Sequence, residues 1–207
     1  MILVTGFEPF GDIDHNPSEQ VVRALEADPP PTGELRLEVL PVVTGAAGDR
    51  VVELAVECDA RAVLMLGEAR GRAEVLVESV AVNLRDFRMA DNDGNTAVEQ
   101  PVVANGPDGL FSTFAAARLV EAVRTVGVPA SRSFSAGTYL CNEISNRMLH
   151  HLAATGRSDV PAGFVHLPSL PAQVESMPEG TPSMPLDRQV AAVRAILDRL
   201  MTGLDRG

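Results

Sequence analysis

The sequence predicts an α/β fold, a mostly parallel twisted sheet with helices on both faces. Three observations carry this. Short apolar runs recur along the chain, as in MILVTG at the start and AVLML at 62–66, both closed by glycine. Between them lie segments of helical spacing, such as Val51, Leu54, Ala55 and Cys58 at i, i+3, i+4 and i+7. Strand and helix then alternate through most of the chain, the pattern of crossover connections around a parallel sheet. No composition break or internal repeat divides the 207 residues, so 1–207 reads as one domain.

Each element has its own signal. Residues 1–6 read as a buried strand, followed by the loop FEPFGDIDH. Asn16-Pro17-Ser18-Glu19 then combines an Asn N-cap, Pro at the first helical position and Glu three residues after the cap. That helix is expected to run to about Asp28, where Pro29-Pro30-Pro31 stops it. Strands are expected at 35–43, 62–66, 75–82, 131–135 and 163–167. Helices are expected around 51–58, at 111–126, at 139–154 and from Leu186 to Leu204. Residues 84–110 and 168–185 are rich in turn formers and read as long loops, the first with Asn92-Asp93-Gly94 as a turn signal. A loop that long is commonly functional.

Composition narrows the function. The 45% hydrophobic and 22% charged residues describe a globular chain with a real core. All 17 basic residues are arginine, against 28 acidic ones, for a net charge of −11. Nucleic-acid binding normally needs a basic face, so none is expected. The lack of lysine removes Schiff-base chemistry and the phosphate-loop lysine. No apolar run reaches the roughly 18 residues of a membrane span, and the N-terminus lacks an export pattern. Two cysteines in such a chain suggest free thiols in a reducing cytoplasm.

Familiar motifs are missing. Gly6 is followed by Phe-Glu-Pro-Phe-Gly, not by a dinucleotide fingerprint, and no Lys-Ser/Thr follows Gly11. No Cys-x-x-Cys or His-Glu-x-x-His offers a zinc site. Cys58 lies on an apolar stripe and reads as core, while His150 and His151 suit a helix C-terminus. Cys141 falls in the first turn of a helix, where the dipole and free N–H groups favour a thiolate. It is also the first rung of an apolar stripe, so nucleophile and core both remain open. His166 stands near the end of a strand, either a satisfied core histidine or part of a site. Glu78 interrupts the apolar VLVESVAV and needs a partner, whether arginine or histidine.

The local strings are more specific than this trio. GFEPFG followed by NPSE, then GEARGR, VESVAVNLRDFRMADNDGN, SAGTYLCN and GFVHLPSLP, occur in this order over nearly the whole chain. Together they resemble the pyroglutamyl-peptidase I family of cysteine exopeptidases. The resemblance implies an α/β/α sandwich of the phosphorylase/hydrolase-like kind, often a homotetramer, that needs no metal or organic cofactor. It implies Cys141 as nucleophile, His166 as base and Glu78 as the acid that orients the imidazole. The implied substrate is a peptide with an N-terminal pyroglutamyl residue, whose lactam carries no ammonium charge. Phe7 and Phe10 match residues that hold the ring, and Arg88 matches an arginine near the developing oxyanion. Tyr139 and Leu140 precede the nucleophile and are expected to line the pocket. Glu68 departs from the neutral or apolar residue of many members, and so could weaken lactam binding or favour a basic following residue. Two rivals stand beside this reading, a nucleoside phosphorylase or hydrolase and a pyroglutamate-binding homologue that has lost turnover.

Overall fold

A computed structural model describes residues 1–11, 14–31, 33–175 and 177–204. Its strands are β1 (Ile2–Phe7), β2 (Leu35–Leu40), β3 (Ala62–Glu68), β4 (Val75–Glu78), β5 (Val80–Val82), β6 (Gly109–Phe111), β7 (Ala130–Ser133) and β8 (Ala162–Leu167). Its helices are α1 (Pro17–Ala27), α2 (Ala46–Glu57), α3 (Ala116–Thr125), α4 (Leu140–Ala154), the short α5 (Pro171–Val174) and α6 (Leu186–Leu204). The main sheet has the order β2-β1-β3-β8-β4-β7. Every neighbouring pair is parallel except β4 with β8. The mostly parallel sheet expected from the alternation is therefore present, with β4 and the edge strand β7 running opposite to the other four.

Period-2 alternation divides the core between the two faces of the sheet. Ile2, Val4, Leu64, Leu66, Val75, Val77 and Val165 face one way, onto α1, α3 and α6. Leu3, Val63, Met65 and Phe164 face the other way, onto α2 and α4. These strands are buried on both faces, which is why they read as continuous apolar runs in the sequence.

Helix entry follows local chemistry. The Asn16 side-chain oxygen accepts from Ser18 N at 3.0 Å, with Pro17 at the first helical position. The Ser18 hydroxyl in turn accepts from Phe7 N at 2.9 Å, fastening the end of β1 to the start of α1. The approach is so close that a Cβ on Gly6 would lie 2.5 Å from the Ser18 carbonyl oxygen.

Three expectations change. The apolar run 75–82 breaks at Ser79, so β4 joins the main sheet while β5 pairs antiparallel with β6. Its uniform hydrophobicity conceals a change of sheet, because both halves are largely buried. Residues 109–111 form β6, and α3 begins only at Ala116; the apolar Leu110-Phe111 pair belongs to a strand edge. The 168–185 loop contains the single turn α5, started by Pro171.

Candidate active site

The C-terminal ends of β1, β3 and β8 converge where open α/β sheets gather their sites. His166, two residues after Phe164 on β8, points to the α4 face. Glu78 shares that face, because its neighbour Val77 faces the other way. The antiparallel register places Leu76 opposite His166, which sets Glu78 diagonally across from the imidazole. The contact is direct: His166 Nδ1 lies 2.8 Å from Glu78 Oε1. Both residues are buried, and the carboxylate fixes the tautomer with the proton on Nδ1. Phe164 packs beside the imidazole with ring centroids 4.7 Å apart.

That arrangement leaves Nε2 for the thiol of Cys141, whose interaction with the imidazole favours the charged form of the ring. Burial works to lower the His166 pKa, but the bonds and charges of Cys141 and Glu78 outweigh it and raise the value to about 9. Cys141 is the second residue of α4. The N-cap, Tyr139, is extended and its side chain makes no cap hydrogen bond, so no side-chain cap takes up the first-turn N–H groups beside the thiol. Room for the sulfur comes from Gly67, the β3 residue in register with His166. A Cβ there would lie 2.9 Å from Cys141 Sγ and 2.7 Å from Phe164 Cζ.

Beside the thiol is a cavity of about 290 Å³. Phe7, Phe10, Val42, Met89, Tyr139 and Leu140 supply its apolar lining. Asn16, Glu68 and Arg70 supply its polar groups. The Tyr139 ring lies 5.3 Å from Phe10 and 4.7 Å, edge-on, from Phe87, while its hydroxyl donates to the Ala90 carbonyl at 3.2 Å. Burial, with the charges of Asp91 and Cys141, raises the Tyr139 pKa and keeps the phenol neutral.

The 84–110 loop roofs this region. Asp86 exchanges two bonds with Thr138, and Arg85 and Gln100 pair as a β-bridge. Asp91 accepts from the backbone of Thr44, Asp93 and Asn95. Burial raises its pKa, but these bonds outweigh burial and lower it.

The structure thus brings together Glu78, Cys141 and His166, and sets Phe7, Phe10, Glu68, Tyr139 and Leu140 around one cavity. Arg88 is exposed and lies outside the cavity lining, although its neighbour Met89 contributes. Glu68 is partly committed elsewhere: its Oε1 accepts from Ser169 Oγ at 2.6 Å and Gln173 Nε2 at 3.3 Å, with Arg70 Nε at 3.6 Å. Asn16, Val42, Arg70 and Met89 had no sequence signal of their own as site residues. Three of them stand inside the NPSE, GEARGR and RMADNDGN strings.

Relatives share this architecture and much of the sequence. The family model described as pyroglutamyl peptidase matches residues 1–202. A pyrrolidone-carboxylate peptidase of Cupriavidus taiwanensis is 40% identical over 99% of this chain and 94% of its own length. One from Coprothermobacter proteolyticus is 38% identical over 99% of both. The solved pyrrolidone carboxyl peptidase of Thermococcus litoralis superposes with a TM-score of 0.91 at 33% identity, covering 99% of this chain and 94% of that one. That of Fervidobacterium islandicum gives 0.90 at 38% identity, covering 97% and 98%. The chain belongs to the pyroglutamyl peptidase family.

Proposed function

We propose that this chain is a cysteine exopeptidase that hydrolyses the N-terminal pyroglutamyl residue from peptides, with Cys141, His166 and Glu78 as its catalytic residues. One observation carries the assignment of roles: a buried imidazole held between a carboxylate at 2.8 Å and a thiol at a helix N-terminus. The family match does not favour the phosphorylase or binding-only alternatives.

The geometry supports the following steps. The Cys141 thiolate attacks the carbonyl that links the pyroglutamyl residue to the peptide. First-turn N–H groups of α4 receive the developing oxyanion, aided by the helix dipole. The His166 imidazolium gives its Nε2 proton to the departing amine, and the C–N bond breaks to leave a thioester. His166 then takes a proton from water, which attacks the thioester and releases pyroglutamate and the thiolate. Glu78 holds the ring and balances its charge throughout. The apolar cavity, with Phe7, Phe10, Tyr139 and Leu140, takes the uncharged lactam. Glu68 lies at its polar side, where it can face the lactam or a basic following residue. Arg88 is assigned near the oxyanion by its match to the family string, and reaching it requires the exposed side chain to turn inward.

The unit is taken as a single peptidase domain over 1–207, of which 205–207 lie outside the described residues. A cytoplasmic homotetramer rests on family resemblance, and light scattering tests its mass. No helix among the described residues is long and apolar enough to cross a membrane.

Release of a fluorescent amine from its pyroglutamyl amide tests the function. Rapid release, abolished by iodoacetamide with the label on Cys141, is the expected result; no release from folded, reduced protein refutes it. The prolyl amide, which lacks the lactam carbonyl, should be cleaved up to about 10⁴-fold less efficiently, because a polar partner in the pocket is left unpaired. Equal cleavage of the two amides contradicts the lactam pocket.

A further inference from the structure

Two residues after the nucleophile stands Glu143, a fully buried carboxylate with no role in the steps above. It accepts from Thr44 Oγ1 at 2.6 Å, Gly45 N at 2.7 Å, and Arg85 Nε and Nη2 at 2.9 and 3.1 Å. The arginine grip is bidentate, and the Arg85 side chain is itself only 17% exposed. These donors come from two places, the α2 entry and the roof segment, and Thr44 N in turn donates to Asp91 in the turn that closes the roof. Asn142 adds a second clamp, accepting from Val82 N and donating to the Val82 and Leu84 carbonyls. Each of the two residues after Cys141 therefore ties the start of α4 to surrounding chain.

A carboxylate in the first turn of the nucleophile's helix raises an electrostatic problem. Uncompensated in a buried position, it opposes the thiolate that the helix N-terminus favours. Arg85 removes that opposition, because the pair is close to neutral as a unit. We propose that Arg85 and Glu143 are a positioning pair for Cys141: Glu143 fastens the cavity roof to the nucleophile's helix, and Arg85 cancels the carboxylate's charge there.

This rests on Cys141 being the nucleophile. The other titratable and charged groups facing the thiol are His166 from β8 with Glu78 of β4 behind it, Glu68 and Arg70 at the end of β3 and beyond, and Tyr139, which is neutral, and Asp91 from the α4 cap and the roof. All of these stay fixed when only Arg85 and Glu143 are changed.

The test reads thiolate directly, without a peptide substrate. The rate of iodoacetamide labelling at Cys141, located by mass spectrometry, is followed against pH for wild type and variants. Arg85→Gln should move the acid limb of that profile up by about half a pH unit, since it strips the counter-charge from a buried acid. Arg85→Gln combined with Glu143→Gln should bring the limb back, because the charge itself is gone. Arg85→Lys keeps the charge but loses the bidentate grip, so its limb should stay in place while KM for the pyroglutamyl amide rises several-fold more than kcat falls. A purely structural pair gives variants of lower Tm whose acid limbs all coincide with wild type, and that result overturns the proposal. If Arg85→Gln does not fold, the Arg85→Lys comparison decides: an unchanged KM overturns it. A wild-type Cys141 that labels no faster at neutral pH than a free thiol overturns the nucleophile reading itself, and this pair with it.

Discussion

The two thiols of this protein occupy opposite ends of two helices packed against each other, α2 and α4. Both are half-buried and free. Cys58 caps the C-terminus of α2, where orphan carbonyls and the negative end of the dipole disfavour a thiolate, and burial pushes its pKa up. Cys141 sits in the first turn of α4, with free N–H groups around it and an imidazole in reach. Burial is similar at the two sites, so what separates them is which helix end the sulfur occupies and what faces it. On the proposed reading, polarity and partners are what make one of the two cysteines a reagent.

Removing the sulfur breaks the comparison most completely. Cys141→Ala should lower turnover at least about 10⁴-fold while leaving the thermal midpoint within a few degrees of wild type. Retained activity would show that the chemistry lies elsewhere. Filling the space that admits the sulfur comes next. Gly67→Ala places a methyl 2.9 Å from Cys141 Sγ, so kcat should fall about 10²-fold as the thiol is displaced. Unchanged kcat would mean that Phe164 and the thiol can both yield.

A third measurement concerns the imidazole that only one thiol has. With its pKa raised to about 9, His166 stays charged through neutrality, and kcat/KM should fall along an alkaline limb centred near that pH. Stability follows the same sign. A histidine whose pKa rises on folding contributes fully below its unfolded value of about 6.5, and that contribution is lost as pH rises through the folded value. A limb near the unfolded value would mean that Cys141 and Glu78 do not hold the proton. The smallest effect is expected at the other thiol: Cys58→Ala should leave kcat/KM within about two-fold of wild type and cost on the order of 1 kcal/mol of stability. A large loss of activity would contradict its assignment to the core.

Much of this was readable from the residues. Alternation of apolar runs gave the parallel sheet, and Asn16-Pro17 marked the start of α1 because capping is local chemistry. The break at Ser79 was not readable, since hydrophobicity reports burial and says nothing about which sheet a strand joins. The reversal of β4 was equally hidden, yet it sets Glu78 diagonally across from His166. The trio itself came from the strings SAGTYLCN, GFVHLP and VESVAVN, because side chains that meet across strands leave no local spacing. The Arg85–Glu143 pair was missed for the same reason: each residue alone is one charge among many, and only folding brings them within 3.1 Å.

The roof segment carries a further consequence. It reads as a loose stretch of turn formers, with exposed side chains at Met89 and Val98. Its backbone is nonetheless fastened at close intervals, from Asn83 N on Asp108 O through Phe87 N on Ala97 O to Asn92 N on Val42 O. A digestive protease must draw out an extended, unpaired length of chain before it can cut. Here that would mean undoing the bonds that also close the cavity, so nicking should be governed by local opening of the domain, and a bound lactam should slow it.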